Sequence, residues 1–226
     1  MTQETREAID ACLEKQFEYE QFLAGVLVFF QKHPLLNQKP LPIIHSMKSR
    51  LKDIDHLAAK IERKIKEGIV VTRDNVFTEI TDFIGVRVLH LYPDQFTFIN
   101  QAINEKIEGG DWANLEPPRA FTWDPESANF YRSLQIETEV RDTYYTSIHY
   151  IVKPNNQNLI CCEIQVRTLF EEIWGEIDHT INYPKPTDSI PCKEQLRVLA
   201  KLVSTGTRLA DSVFRSYNDH IEKTPH

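Results

Sequence analysis

A β-strand usually turns one face to a core and the other to water, and the segment LICCEIQVRTLF, residues 159–170, does not fit that division. Counted alternately, Cys162, Ile164 and Val166 lie on one side, and Glu163, Gln165 and Arg167 on the other. The first set needs a core. An acid, an amide and a guanidinium in register on a central strand are costly unless each is paired or meets a ligand. Whatever fold the chain adopts must therefore give this strand a packed face and a polar, occupied one.

The same division recurs twice. In YYTSIHYIV, residues 144–152, Tyr145, Ser147 and His149 share a face, while Ile148, Tyr150 and Val152 share the other. In TDFIGVRVLHLY, Asp82 enters the strand; Ile84, Val86 and Val88 alternate with Gly85, Arg87 and Leu89. If the three strands are neighbours, one sheet face gathers two carboxylates, two arginines, Gln165, Tyr145 and His149.

Around these strands the pattern is helical. The first 33 residues lack proline and place Ile9, Leu13, Phe17, Leu23, Val26, Leu27 and Phe30 at helical spacing, which predicts one long helix or two. HPLLNQKPLP is a loop. A helix is expected from about Ile54 to Glu67, ending at Gly68, and another over Phe96–Ile107. Residues 108–132 read as an irregular connection with a short strand at RAFTW, followed by a strand at LQIETEV. Thr168 with Glu171 forms a capping box for a helix whose Phe170, Ile173, Trp174, Ile177 and Ile181 make a packing stripe. A last helix carries Leu196, Leu199, Val203, Ala210, Phe214 and Tyr217. The expected class is α+β, with a central mixed, mainly antiparallel sheet flanked by helices.

The longest apolar run, FLAGVLVFF, has nine residues, against about 20 for a membrane span, and no signal peptide is read, so a cytoplasmic protein is expected. Four cysteines without a C-x-x-C pair favour free buried thiols over a disulfide framework or zinc. The net charge of −7 disfavours a general nucleic-acid coat. Between Lys48 and Lys66, however, seven Lys and Arg residues face three acids, a local patch suited to a defined polyanion such as a nucleotide. Helical spacing puts Lys52, His56, Lys60 and Arg63 on one face as a phosphate cradle. Asp82 and Glu163 suit a hard divalent cation, Mg²⁺, which favours carboxylates together with substrate phosphates. With a tyrosine able to stack on a base, these features describe a metal-dependent enzyme acting on nucleotide phosphates.

Four segments in order, SRLKDIDHLAAKIERK (49–64), TDFIGVRV (81–88), YYTSIHYIV (144–152) and EIQVRTLFEEIWGEIDH (163–179), resemble the synthetase domain of the RelA/SpoT family in its small form. The resemblance implies a nucleotidyltransferase-like fold and a single synthetase domain over residues 1–226: an N-terminal helical segment (1–45), a catalytic core (46–184) and a C-terminal helix (185–226). It implies Mg²⁺-dependent transfer of the β,γ-pyrophosphate of ATP to the 3′-hydroxyl of GDP or GTP. By motif position, Arg50, Lys52, Lys60, Arg63 and Arg87 would bind ATP, while Asp82 and Glu163 would hold the metal and serve catalysis. Tyr145, His149, Gln165 and Arg141 would bind the acceptor. Tyr144 and Thr146 stand where many members carry Gly and Arg, so toxic relatives that act on adenosine nucleotides or on the tRNA 3′ end remain alternatives, as does an inactive nucleotide-binding regulator. For a tRNA substrate, the one further basic segment is Lys193, Arg197, Lys201 and Arg208. The absence of any His-Asp dipeptide predicts no alarmone hydrolysis. Small members often form homotetramers, so an oligomer is expected.

Overall fold

The proline-free start folds into two helices, α1 (Gln3–Glu14) and α2 (Gln16–Lys32), hinged at Lys15, which is the C-cap of the first and the N-cap of the second. Residues 2–183 and 185–223 are described by the computed structural model. His33, ahead of Pro34, leaves the helix with ψ 121°, as the clash with a following proline ring requires. Ala8, Ile9, Cys12, Tyr19, Val26 and Phe30 turn inward, while Phe17, on the same spacing, is exposed.

Next come strand β1 (Ser46–Leu51) and helix α3 (Ile54–Lys66). The Asp53 side chain caps α3 by accepting the His56 N–H, and the chain leaves it at Gly68, whose φ of +86° suits a residue without Cβ. The short helix α4 (Val76–Glu79) precedes β2 (Ile84–His90), and α5 (Asp94–Glu108) follows it. Strand β3 runs over Ala113–Thr122, longer than the RAFTW expected; Pro117 and Pro118 lie where its pairing register shifts, since proline cannot donate to a ladder. Helix α6 (Pro125–Ser133) opens on an Asp124 cap with proline in its first turn, and β4 (Glu137–Val140), β5 (Ser147–Lys153) and β6 (Cys162–Thr168) follow. The capping box of Thr168 and Glu171 forms and starts α7 (Leu169–Asn182). Helix α8 (Ile190–Lys223) ends the described chain.

The six strands are ordered β1-β2-β6-β5-β3-β4. β2 with β6 and β3 with β4 are parallel, and the other three pairings antiparallel, so the sheet is mixed and not mainly antiparallel as expected. Parallel neighbours need a crossover, and α6 supplies one between β3 and β4, within the stretch that reads as irregular from sequence.

One sheet face is the core. Ile84, Val86 and Val88, Ile148, Tyr150 and Val152, and Cys162, Ile164 and Val166 are all essentially inaccessible, at about 1.5–3 kcal/mol for each fully buried large apolar side chain. Helix α2 lies against β2 and β6 on this face, and Tyr150 Oη donates to Asn100 of α5 at 2.7 Å. The α7 stripe packs otherwise than expected. Only Trp174 is buried, its Nε1 donating to Leu196 O of α8 at 3.1 Å, while Phe170, Ile173 and Ile177 are exposed. Cys12, Cys161 and Cys162 are buried and all four thiols are free. Among the described residues, no helix is long and apolar enough to cross a membrane.

Candidate active site

On the opposite face, one lateral row crosses all six strands: Lys48, Arg87, Gln165, His149, Arg119 and Glu137, each register partner of the next. The neighbouring row runs Arg50, Gly85, Glu163, Ile151 and Glu116. The polar side of residues 163–167 is thus one lane of a polar surface spanning the sheet. Lacking a side chain, Gly85 leaves a trough of about 200 Å³ between β1 and β6, lined by Lys48, Arg50, Arg87, Glu163 and Gln165.

Asp82, just before β2, stands beside Arg50 of the trough wall. Its two oxygens take Lys60 Nζ at 2.6 Å and Lys52 Nζ at 2.8 Å, and Arg50 stands at 3.5 Å. Burial alone would raise the Asp82 carboxyl, but Lys60 and Lys52 outweigh it and pull it down to about 2. Burial also lowers the Lys52 ammonium, against the pull of Asp82. Asp82 therefore has a structural part, holding Lys52 and Lys60 together. The expected cradle on α3 divides: Lys52 precedes the helix and joins Lys60 at Asp82, His56 bonds Asp53 at 2.6 Å, and Arg63 lies exposed.

Glu163 sits in the next lane. His149 Nδ1 stands 3.2 Å away and Gln165 Nε2 donates at 2.7 Å. Burial pushes the Glu163 carboxyl up, yet His149 and Gln165 bring it below its ordinary value, so it stays ionised. It does not pair with Arg167. That guanidinium, 3% exposed, donates to Gln165 Oε1 at 2.6 Å and to Tyr145 Oη at 3.3 Å. Tyr145 Oη also lies 2.9 Å from His149 Nε2. Arg141 is set further along the sheet, stacked 3.9 Å over the Phe121 ring, which meets His149 edge-on.

Sequence reasoning missed the acids that organise the far side. Glu172 of α7, nearly fully buried, holds Lys48 at 2.8 Å, Arg87 at 3.1 Å and Arg167 at 3.3 Å, and Glu176 takes Arg87 at 2.5 Å. The sequence carries only part of the signal: Glu172 and Glu176 stand at i, i+4 on α7, but the strand pairing that sets Lys48 beside Arg87 is long-range. Among the described residues, no group of three or more His, Cys, Asp and Glu could hold a metal by itself. Asp82 and Glu163 offer oxygen donors to a hard cation that completes its shell with phosphates and water, which is how Mg²⁺ is commonly held. The basic segment expected on α8 does not gather: Arg197 lies within 4.0 Å of Glu194, and Arg208 pairs with Asp124 at 2.6 Å.

Residues 49–188, more than half the chain, match the model of the region found in RelA / SpoT proteins. The chain belongs to the RelA/SpoT family. It is 26% identical over 149 residues to the GTP pyrophosphokinase YwaC of Bacillus subtilis (strain 168), covering 65% of this chain and 61% of that protein's length. Its fold is similar to the crystal structure of small alarmone synthetase 1 from Bacillus subtilis, with a TM-score of 0.67 at 17% identity over 93% of this chain and 99% of the other. The same enzyme bound to its product pppGpp gives a TM-score of 0.65 at 20% identity, covering 91% and 98%.

Proposed function

We propose that this RelA/SpoT chain is a small alarmone synthetase, a GTP diphosphokinase that moves the β,γ-pyrophosphate of ATP to the 3′-hydroxyl of GDP or GTP in a stringent-type stress response. The observation that carries the reading is the polar lane between Asp82 and Glu163: two ionised carboxylates beside a trough floored by Gly85 and walled by Lys48, Arg50 and Arg87. Such a transfer needs positioning and charge neutralisation more than covalent chemistry. The 3′-oxygen bonds to the β-phosphorus, the bond from that phosphorus to the α,β-bridging oxygen breaks, and AMP departs.

Arg50, Lys52, Lys60 and Arg87 supply positive charge to the triphosphate, with Arg63 reaching in from α3. Glu163, held ionised, accepts the hydroxyl proton, a contribution worth about 10²–10⁴-fold. Tyr145 stacks on the acceptor base, and His149, Gln165 and Arg141 flank it. Asp82 and Glu163 would hold Mg²⁺, which would supply offsetting charge to the phosphates. The whole chain acts as one synthetase domain on a nucleotidyltransferase-like sheet, in the cytoplasm. Val198, Leu202, Leu209, Val213 and Tyr217 form an exposed apolar stripe along α8, suited to burial in a homo-oligomer. With Arg197 and Arg208 of its basic segment beside acids of the chain, tRNA is not the favoured acceptor.

The test is incubation of the full chain with γ-³²P-ATP, Mg²⁺ and, in parallel, GDP, GTP, ADP, ATP or bulk tRNA. Label is expected in a guanosine tetra- or pentaphosphate, and Glu163→Gln should slow its appearance by at least about 10². Label in tRNA, in an adenosine product only, or nowhere would overturn the reading.

A further inference from the structure

A second and larger cavity, of about 370 Å³, opens at the C-terminal ends of β2 and β6, between α5, α6, α7 and α8. The trough lies toward the opposite, N-terminal ends of the same strands. The larger cavity's size falls within the range of about 300–1,000 Å³ usual for small-molecule sites. The walls are aromatic: Trp123 and Tyr144 meet edge-on at 5.1 Å, with Phe130, Tyr131 and Trp174 around them. Tyr144 holds a φ of 59°, a left-handed conformation that a bulky residue adopts only when its surroundings enforce it.

The polar lining is one-sided. Five carboxylates, those of Asp94, Asp124, Glu126, Glu171 and Asp211, face two guanidiniums, Arg208 and Arg215. Arg208 is engaged by Asp124 at 2.6 Å and Glu126 at 3.2 Å, and Arg215 by Asp94 at 2.7 Å and Asp211 at 2.8 Å. Among the described residues Glu171 makes no close ion pair, although the Arg167 charge acts on it; it accepts the Thr168 N–H at 2.6 Å, and burial pushes its acid up to about 7.

The second observation is independent of the acids. His90 is 2% exposed, and its Nδ1 lies 3.0 Å from the Tyr92 carbonyl. A carbonyl only accepts, so Nδ1 carries the proton and Nε2 is left as a lone-pair acceptor. Burial lowers the ring to about 4, which keeps it neutral. Nε2 has no partner, and a buried acceptor without one is costly unless a ligand donates to it.

We propose that this cavity is a second ligand site, separate from the nucleotide face, for a planar aromatic cation rich in N–H donors, such as a ring-borne amidine or guanidine. The aromatic walls take its faces and its charge, and His90 Nε2 and the Glu171 carboxyl take its donors. Anionic ligands of the same shape meet a lining already rich in carboxylates.

The test is isothermal titration of the full chain with benzamidine, and with benzoate as the anion of the same shape. Benzamidine should bind at one site per chain and benzoate at least 10-fold more weakly. Thr207→Phe, which fills the cavity from a buried position on α8, should weaken benzamidine at least 10-fold, and Glu171→Gln should do so without changing the volume. Glu163→Gln, on the nucleotide face, should leave the affinity unchanged. Failure of benzamidine to bind, equal binding of benzoate, or indifference to both cavity variants would overturn the proposal, as would loss of binding in Glu163→Gln.

Discussion

Replacing Asp82 by Asn removes a charge and leaves the shape, and the structure sets what that should cost. The carboxyl is drawn from an ordinary 3.8 to about 2 by Lys60 and Lys52 while almost buried. At about 1.36 kcal/mol per pH unit, this shift amounts to about 2–3 kcal/mol of stability. The sign follows from the direction. A depressed folded value means that the contribution is complete above the unfolded value and is lost as pH falls through the folded one. Wild type should therefore exceed Asp82→Asn by about 2–3 kcal/mol at neutral pH and by about half of that near pH 3, with little difference left below pH 2. Urea unfolding of both proteins across that range, extrapolated to water, measures the gap directly. A gap that stays constant from neutral pH to pH 3, or an Asn variant as stable as wild type at neutral pH, would show that the lysines do not hold Asp82 as described.

Two further outcomes are expected. Glu172→Ala strands Lys48, Arg87 and the buried Arg167, and should cost about 3–5 kcal/mol in denaturant unfolding; a loss under 1 kcal/mol would mean that the three cations find other partners. Tyr145→Ala removes the proposed stacking surface, worth about 1–3 kcal/mol, and should raise the acceptor KM by roughly 5–150-fold with the KM for ATP unchanged. Equal rises for both nucleotides would place Tyr145 outside the acceptor site.

The polar sheet face was legible because period-two alternation is local: Glu163 and Gln165, Gly85 and Arg87, and His149 each declare a face within a few residues. What alternation cannot give is which strand lies beside which. That Arg87, Gln165 and His149 form one row follows from β6 inserting between β2 and β5, a long-range outcome. Helix α6 escaped notice because Pro125 and its polar neighbours look like a loop, although Asp124 before the proline is a start signal. The α7 stripe misled in the other direction. Apolar spacing shows that a face exists, not that anything covers it, and only Trp174 meets α8 deeply enough to be buried. Glu172 was missed because its partners come from β1, β2 and β6, none near it in helical register.

The clamp on Asp82 also makes this side of the polar face behave as an ion exchanger. Lys52 and Lys60 serve as counter-ions to a carboxylate of the protein itself. A polyphosphate that drew those ammonium groups away would leave Asp82 without its two closest counter-ions in a nearly dry setting, and a divalent cation held there would offset that charge. Metal and nucleotide loading should then be linked, each raising the other's affinity by the same factor. Until then the lysines keep Asp82 neutralised from within the chain.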